Sequence, residues 1–216
     1  MSGNVPPVLE EGLAQLDIPF NVDQLAKLHV FLQELERWNK AYGFVKAAGQ
    51  QLIIRHVLDS LSAWRKISAL PRRAQVVDVG SGAGFPGIPL AVFLADSRFT
   101  LLEPSAKKAA FLRNVAILAH LDNVEVEEAR LEDVERRFDL VVFRAFTPLH
   151  REIDALRRIL NHNGVIIAYK GKRARILEEI DEAGISLEQV LIEAVEVPFL
   201  SEERHLVILS TNFSES

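Results

Sequence analysis

The sequence predicts a doubly wound α/β domain with a mostly parallel sheet, preceded by a helical extension. Three observations carry this. From Gln75 onward, short apolar runs alternate with helix-length amphipathic segments, the grammar of parallel strands joined by crossover helices. A glycine-rich turn follows the first of these runs. The last two runs leave no room for a helix between them, so they predict a hairpin and one antiparallel strand. A chain of 216 residues suits one such domain with an appendage. We place the helical extension at residues 1–72 and the sheet domain at residues 73–216.

Residues 1–20 show little pattern and predict a loosely docked arm. Leu25, Leu28, Leu32 and Leu35 then fall on one helical face, and Asn21 with Gln24 resembles a capping box. Ile54, Leu58 and Leu61 predict a second helix near 51–66, and Pro71-Arg72-Arg73 reads as a linker. Gln75 to Val79 is the first strand, followed by the glycine turn and an apolar helix from about Pro86 to Leu94. Strands follow at Phe99 to Glu103, Val124 to Val126, Phe138 to Phe143 and Val165 to Tyr169. Helices are predicted at Ser105 to Ala119, with Phe111, Val115 and Leu118 on one face, near 148–160 and near 174–183. The final strands lie near 187–197 and 204–210.

Composition narrows the chemistry. Hydrophobic residues make up 49% of the chain, enough for a sizeable core. The absence of cysteine excludes disulfides, zinc–cysteine clusters, iron–sulfur centres and a cysteine nucleophile. No metal site is expected. No stretch reaches the roughly 18 apolar residues of a membrane span, and the first residues lack a signal-peptide pattern. The chain is therefore expected to be cytoplasmic, with no membrane partner, and monomer is the default expectation. A net charge of −5 speaks against indiscriminate binding to nucleic acid. The run Lys170-Gly171-Lys172-Arg173-Ala174-Arg175 is locally basic, and on charge alone reads as a solvated helix start.

The strongest local signal is Asp78-Val79-Gly80-Ser81-Gly82-Ala83-Gly84-Phe85-Pro86-Gly87. Alternating glycines let the backbone turn sharply after a strand and approach a ligand closely. Gly82 to Gly87 also matches the dinucleotide fingerprint, but its first glycine lies late after the strand, and Pro86 stands where helix N–H groups would meet a pyrophosphate. The register beginning at Gly80 fits better. It puts a carboxylate, Asp78, beside the turn, a poor neighbour for pyrophosphate and a good one for a cationic group. Glu103 ends the second strand, where it can accept from ribose hydroxyls, and Glu132 follows the third. Together these acids favour a nucleoside that carries positive charge. Arg144 ends a central strand, where α/β ligands sit.

These residues resemble the bacterial glucose-inhibited division protein B family, methyltransferases that modify guanine N7 of small-subunit ribosomal RNA. The glycine stretch through Gly87-Ile88-Pro89-Leu90-Ala91 carries the likeness, with Trp38-Asn39-Lys40, His56-Val57-Leu58-Asp59-Ser60-Leu61, Lys107-Lys108-Ala109-Ala110-Phe111-Leu112, Arg144-Ala145 and Lys170-Gly171. It spans roughly residues 25–210. The resemblance implies a class I methyltransferase fold, Rossmann-like, and S-adenosylmethionine as cofactor. It implies cofactor contacts at Gly80, Phe85, Leu131, Glu132 and Arg144; with the acids and the turn, the expected cofactor set is Asp78, Gly80, Ser81, Gly82, Gly84, Phe85, Glu103, Leu131, Glu132 and Arg144. The implied substrate is 16S ribosomal RNA or the small ribosomal subunit. His56, Lys107, Lys170, Lys172 and Arg173 are its expected contacts. Arg144 is expected in the catalytic site in a positioning role, because guanine N7 has a free lone pair and needs no general base.

The chain departs from the family pattern at Gly43-Phe44-Val45, Leu131, Phe143 and Ser210-Thr211-Asn212. Phe143-Arg144-Ala145-Phe146-Thr147-Pro148 lacks the motif of adenine amine methylation, and cytosine C5 chemistry would need a cysteine. Two other readings stay open on the residues alone. One is a nicotinamide-dependent oxidoreductase using the literal fingerprint; the other is a non-catalytic RNA-binding protein on the same fold.

Overall fold

A computed structural model describes residues 6–144 and 149–210. Seven strands form one sheet in the order β3-β2-β1-β4-β5-β7-β6. They are β1 (Gln75–Val79), β2 (Arg98–Leu102), β3 (Val124–Glu127), β4 (Phe138–Arg144), β5 (Leu160–Lys170), β6 (Val190–Ala194) and β7 (His205–Ser210). Neighbours pair in parallel through β5, and β7 runs antiparallel to both β5 and β6. The strand order turns back between β1 and β4, which opens a crevice at their carboxyl ends.

Strand alternation divides the core. Val76 of β1 and Leu140 and Val142 of β4 face one apolar cluster, while Val77, Val79, Val141 and Phe143 face the other. Helix α6 (Gly87–Phe93) and α7 (Ala106–Leu118) cover the first face; α8 (Leu149–Arg158) and α9 (Arg173–Glu182) cover the second. On α7 the buried face is Ala109, Phe111, Leu112 and Val115; Leu118, expected with them, is 45% exposed, because the helix ends there and its last turn overhangs the core. Strand β5 begins five residues earlier than Val165, where the Asn161 amide donates to Asp139 at 2.6 Å and holds Leu160 against Phe138.

The N-terminal helices join the first face. Helix α1 (Pro7–Gln15) corrects the expectation of a loose arm: Leu9 and Leu13, one helical turn apart, are wholly buried. Gly12 lies so close to Leu58 that a Cβ there would collide with it. Two turns were too short to show a stripe. Helix α2 (Val22–Tyr42) opens with the expected capping box, Asn21 and Gln24 bonding reciprocally. It buries Leu28, Phe31 and Leu35 in the same cluster as Ile88 and Phe111. At its end Gly43 takes a left-handed conformation, and the Asn39 side chain bonds both the N–H and the carbonyl of Val45, closing the loop. Trp38 packs there among Tyr42, Phe44 and Phe111.

The single helix expected near 51–66 is instead broken into α3 (Gly49–Leu52), a π-helix over Ile53–Leu58, α4 (Asp59–Leu61) and α5 (Trp64–Ser68). Ser60 and Ser62 hydroxyls bond back to the carbonyls of His56 and Asp59, competing with the regular ladder. A π-turn widens the backbone and frees a carbonyl for an outside donor. Here that donor is Arg144. Among the described residues no helix is long and apolar enough to cross a membrane.

Candidate active site

Strand β1 delivers Asp78 to the crevice wholly buried. Its Oδ2 accepts from the Gly87 N–H at 2.9 Å, fixing the start of α6, while Oδ1 is buried with no hydrogen-bond partner. Burial pushes the Asp78 carboxyl up to about 7. Glu103, just past β2, accepts from Gly82 N–H at 2.8 Å and Ser105 N–H at 2.9 Å, tying the glycine turn to α7. The turn also bonds to itself. Gly80 and Ser81 donate to the Leu102 carbonyl, and Gly84 and Phe85 donate to the Ser81 carbonyl. The Ser81 hydroxyl donates to the Asp78 carbonyl at 2.8 Å, so this side chain, expected to meet the cofactor, also braces the turn. Gly84 has φ +90°, and a Cβ there would lie 2.8 Å from Ile88 and 3.3 Å from Phe31.

Beside this turn, Arg144 leaves β4 into a cage from distant segments. Its Nη1 donates to Asp59 Oδ2 at 2.9 Å and to the Arg55 carbonyl at 3.0 Å, and its Nη2 meets His56 Nδ1. The guanidinium carbon lies 5.3 Å from the centre of the Phe85 ring, and the His56 ring packs 5.0 Å from the same ring. Asp59 is buried and its Oδ1 accepts from Arg204 Nε at 3.0 Å, so both carboxylate oxygens are held by arginines. Burial, and then Arg144, Arg55 and Arg204, lower the His56 pKa to about 4. The buried Tyr169 hydroxyl donates to the Ser60 carbonyl at 2.6 Å, pinning the segment to β5. His56 and Asp59, three residues apart, thus meet the same guanidinium. Arg204 carried no sequence signal; it follows two acids in a polar stretch and reads as surface charge.

The other expected residues divide. Leu131 is buried and Glu132 exposed on a short 3₁₀ turn (Leu131–Asp133), whose Leu131 and Glu132 carbonyls accept from Arg158. Lys107 is exposed on the first turn of α7, with its ammonium 4.5 Å from the Tyr42 ring centre. Lys172 and Arg173 are exposed at the start of α9. Lys170, expected as a phosphate contact, has its ammonium paired with Glu179 at 2.6 Å and is only 13% exposed. A carboxylate already neutralises it. Residues Ala145 to Pro148, Thr211 and Asn212, singled out in the sequence, lie outside the described residues.

A family model described as rRNA small subunit methyltransferase G matches residues 24–207. The curated relative of that name from Cellvibrio japonicus is 37% identical over 93% of each chain. The one from Halorhodospira halophila is 40% identical over 88% of this chain and 87% of its own. The chain belongs to the rRNA small subunit methyltransferase G family. Solved structures agree on the fold. A SAM dependent methyltransferase from Aquifex aeolicus superposes with TM-score 0.57 at 14% identity, covering 83% of this chain and 98% of that one. Magnesium protoporphyrin IX methyltransferase from Synechocystis gives TM-score 0.55 at 19% identity, covering 89% and 98%.

Proposed function

We propose that this S-adenosylmethionine-dependent rRNA methyltransferase places its methyl group on N7 of a guanine in 16S ribosomal RNA, recognised within the small ribosomal subunit. The observation that carries the acceptor assignment is the engagement of Asp59. Both of its oxygens are held by arginines, and His56 is a poor base with a pKa near 4, so the described acceptor side offers no general base. Guanine N7 needs none. Methylation of an exocyclic amine or a hydroxyl would call for a proton acceptor or a polarising site.

The crevice suits the cofactor. The N–H groups of Gly80, Ser81, Gly82, Gly84, Phe85 and Gly87 are all engaged within the protein, and Pro86 has none. Such a turn offers little to a pyrophosphate, which disfavours the nicotinamide reading. It offers an unpaired buried oxygen on Asp78, suited to an ammonium group, and spare lone pairs on Glu103, suited to ribose hydroxyls. Leu131 and Glu132 would flank the adenine, and Phe85 would back the reacting end. When bound, the cofactor supplies a sulfonium methyl that the N7 lone pair attacks in line. The protein's own work is orientation and exclusion of water: Phe85 and the turn form a rigid floor, and Arg144 holds His56 and the π-helix against it. Lys107, Lys172 and Arg173 are the proposed phosphate contacts.

The deciding test is methyl transfer from labelled S-adenosylmethionine to unmodified small ribosomal subunits, followed by nucleoside mass spectrometry. Labelled 7-methylguanosine that vanishes in Gly82→Asp supports the assignment. Label on another nucleoside overturns the acceptor. Cofactor binding without transfer favours a non-catalytic RNA-binding protein.

A further inference from the structure

Arg144 fixes the polarity of His56. A guanidinium has only donors, so the His56 Nδ1 that meets it must carry the ring's lone pair. The ring proton then sits on Nε2. The opposite tautomer would set an N–H against the guanidinium. The ring cannot readily escape this arrangement, because the Phe85 ring packs against it and the π-helix carries it on one side. The charged groups around it are Arg55 on the π-helix, Asp59 just after it, Arg144 from β4 and Arg204 ahead of β7. Among the described residues, Nε2 has no hydrogen-bond partner, and the side chain is only half-buried. His56 therefore carries one N–H donor of fixed sense beside Phe85 and the glycine turn.

Guanine and adenine differ at the atom beside N7. Guanine presents the O6 acceptor there, and adenine presents an N6 amine donor. We propose that His56 is the residue that specifies the base: its Nε2–H donates to O6 of the acceptor guanine and sets two donors against each other when adenine enters. Arg144 and Asp59 act through it as positioning residues. A site built around a donor rejects an analogue that lacks the matching acceptor, because the buried N–H is left unpaired. This inference rests on the guanine-N7 assignment and names how that base is read.

The experiment uses the full chain and small subunits reconstituted with 16S RNA that carries guanine, inosine or 2-aminopurine at the position identified by the labelling test above. Guanine and inosine both have O6; 2-aminopurine lacks it. Expected is a roughly 10–100-fold loss of kcat/KM for 2-aminopurine relative to guanine in the native protein, with inosine close to guanine. His56→Gln, whose amide reaches the Nε2 position, should keep most of that preference. His56→Asn, which fills only the Nδ1 position, should lose it. Both variants should bind S-adenosylmethionine as the native protein does, shown by thermal shift, which separates base reading from misfolding. The guanine to 2-aminopurine ratio should stay level between pH 5.5 and 7.5, since the imidazole is neutral throughout; any titration on the cofactor side cancels in the ratio. Equal rates on guanine and 2-aminopurine, a preference unchanged in His56→Asn, or a ratio that follows proton uptake near pH 6.5 would overturn the proposal. Mass spectrometry of the guanine product keeps the two readings apart. A nucleoside other than 7-methylguanosine defeats the acceptor assignment, whereas 7-methylguanosine with no O6 preference defeats only the role of His56.

Discussion

At the ends of β1 and β2, Asp78 and Glu103 bond to backbone N–H groups 9, 21 and 2 residues away. At the end of β4, Arg144 bonds to groups 85, 88 and 89 residues away, and Asp59 reaches Arg204 across 145 residues. The proposed cofactor side is built from one strand–turn–helix unit and its neighbour, with acids meeting main chain. The proposed acceptor side is built from side chains of four segments, with arginines meeting an acid and an imidazole. The first arrangement closes locally and resists change wherever the strand and turn form. The second exists only once the N-terminal helices dock on the sheet, so the proposed base recognition would depend on the docking of that extension.

Asp59→Ala gives the largest expected effect and tests the coupling directly. It leaves two largely buried guanidiniums without a carboxylate, which should cost about 3 kcal/mol in denaturant unfolding. It should also lower kcat/KM for RNA about 100-fold through misplacement of His56, while the cofactor Kd stays near native. An equal loss of cofactor affinity would mean that the two sides are not separable. Gly87→Ala probes the local side. Its Cβ would collide with Leu101 and lie 2.6 Å from Asp78 Oδ2, so stability should fall by about 3 kcal/mol and Tm by roughly 6–12 °C. Glu103→Gln places an amide where two N–H groups converge. Calorimetry should show the cofactor Kd rising roughly 10–100-fold, with little change in RNA binding.

The two sides also titrate in opposite senses. Asp78 has its folded pKa raised from 3.8 to about 7, so its contribution to stability is full below pH 3.8 and is lost as pH rises towards 7. His56 has its folded pKa lowered from 6.5 to about 4, so its contribution is full above pH 6.5 and is lost as pH falls towards 4. Between pH 4 and 6.5 the two oppose each other in the native protein. Tm curves of Asp78→Asn and His56→Gln, each subtracted from native, should therefore slope in opposite directions. Parallel slopes would refute the assignment. Lys107→Ala should change least: stability within about 0.5 kcal/mol, and a salt dependence of RNA binding shallower by about one ion.

The Asn21 capping box, the strand–helix alternation, the hairpin at the end and the two carboxylates at strand ends were all legible in the sequence, because each depends on residues within one element or its neighbour. Arg144 was marked by its place at the end of a central strand, and resemblance then added the segment from His56 to Leu61. Three features were not legible. Helix α1 docks through only two fully buried leucines, too few to make a periodic signal. The π-helix arises where serine back-bonding and an outside guanidinium compete with the regular ladder. Lys170 reads as a free cation until Glu179, on the next helix, comes within 2.6 Å. The chain by itself determined the fold and the way Asp78 and Glu103 brace the glycine turn, because backbone hydrogen bonding and turn chemistry act over short separations. Only the tertiary structure decided the cage around Arg144. Which of several arginines meets which acid, and therefore which imidazole nitrogen keeps its proton, depends on long-range packing that no local pattern encodes.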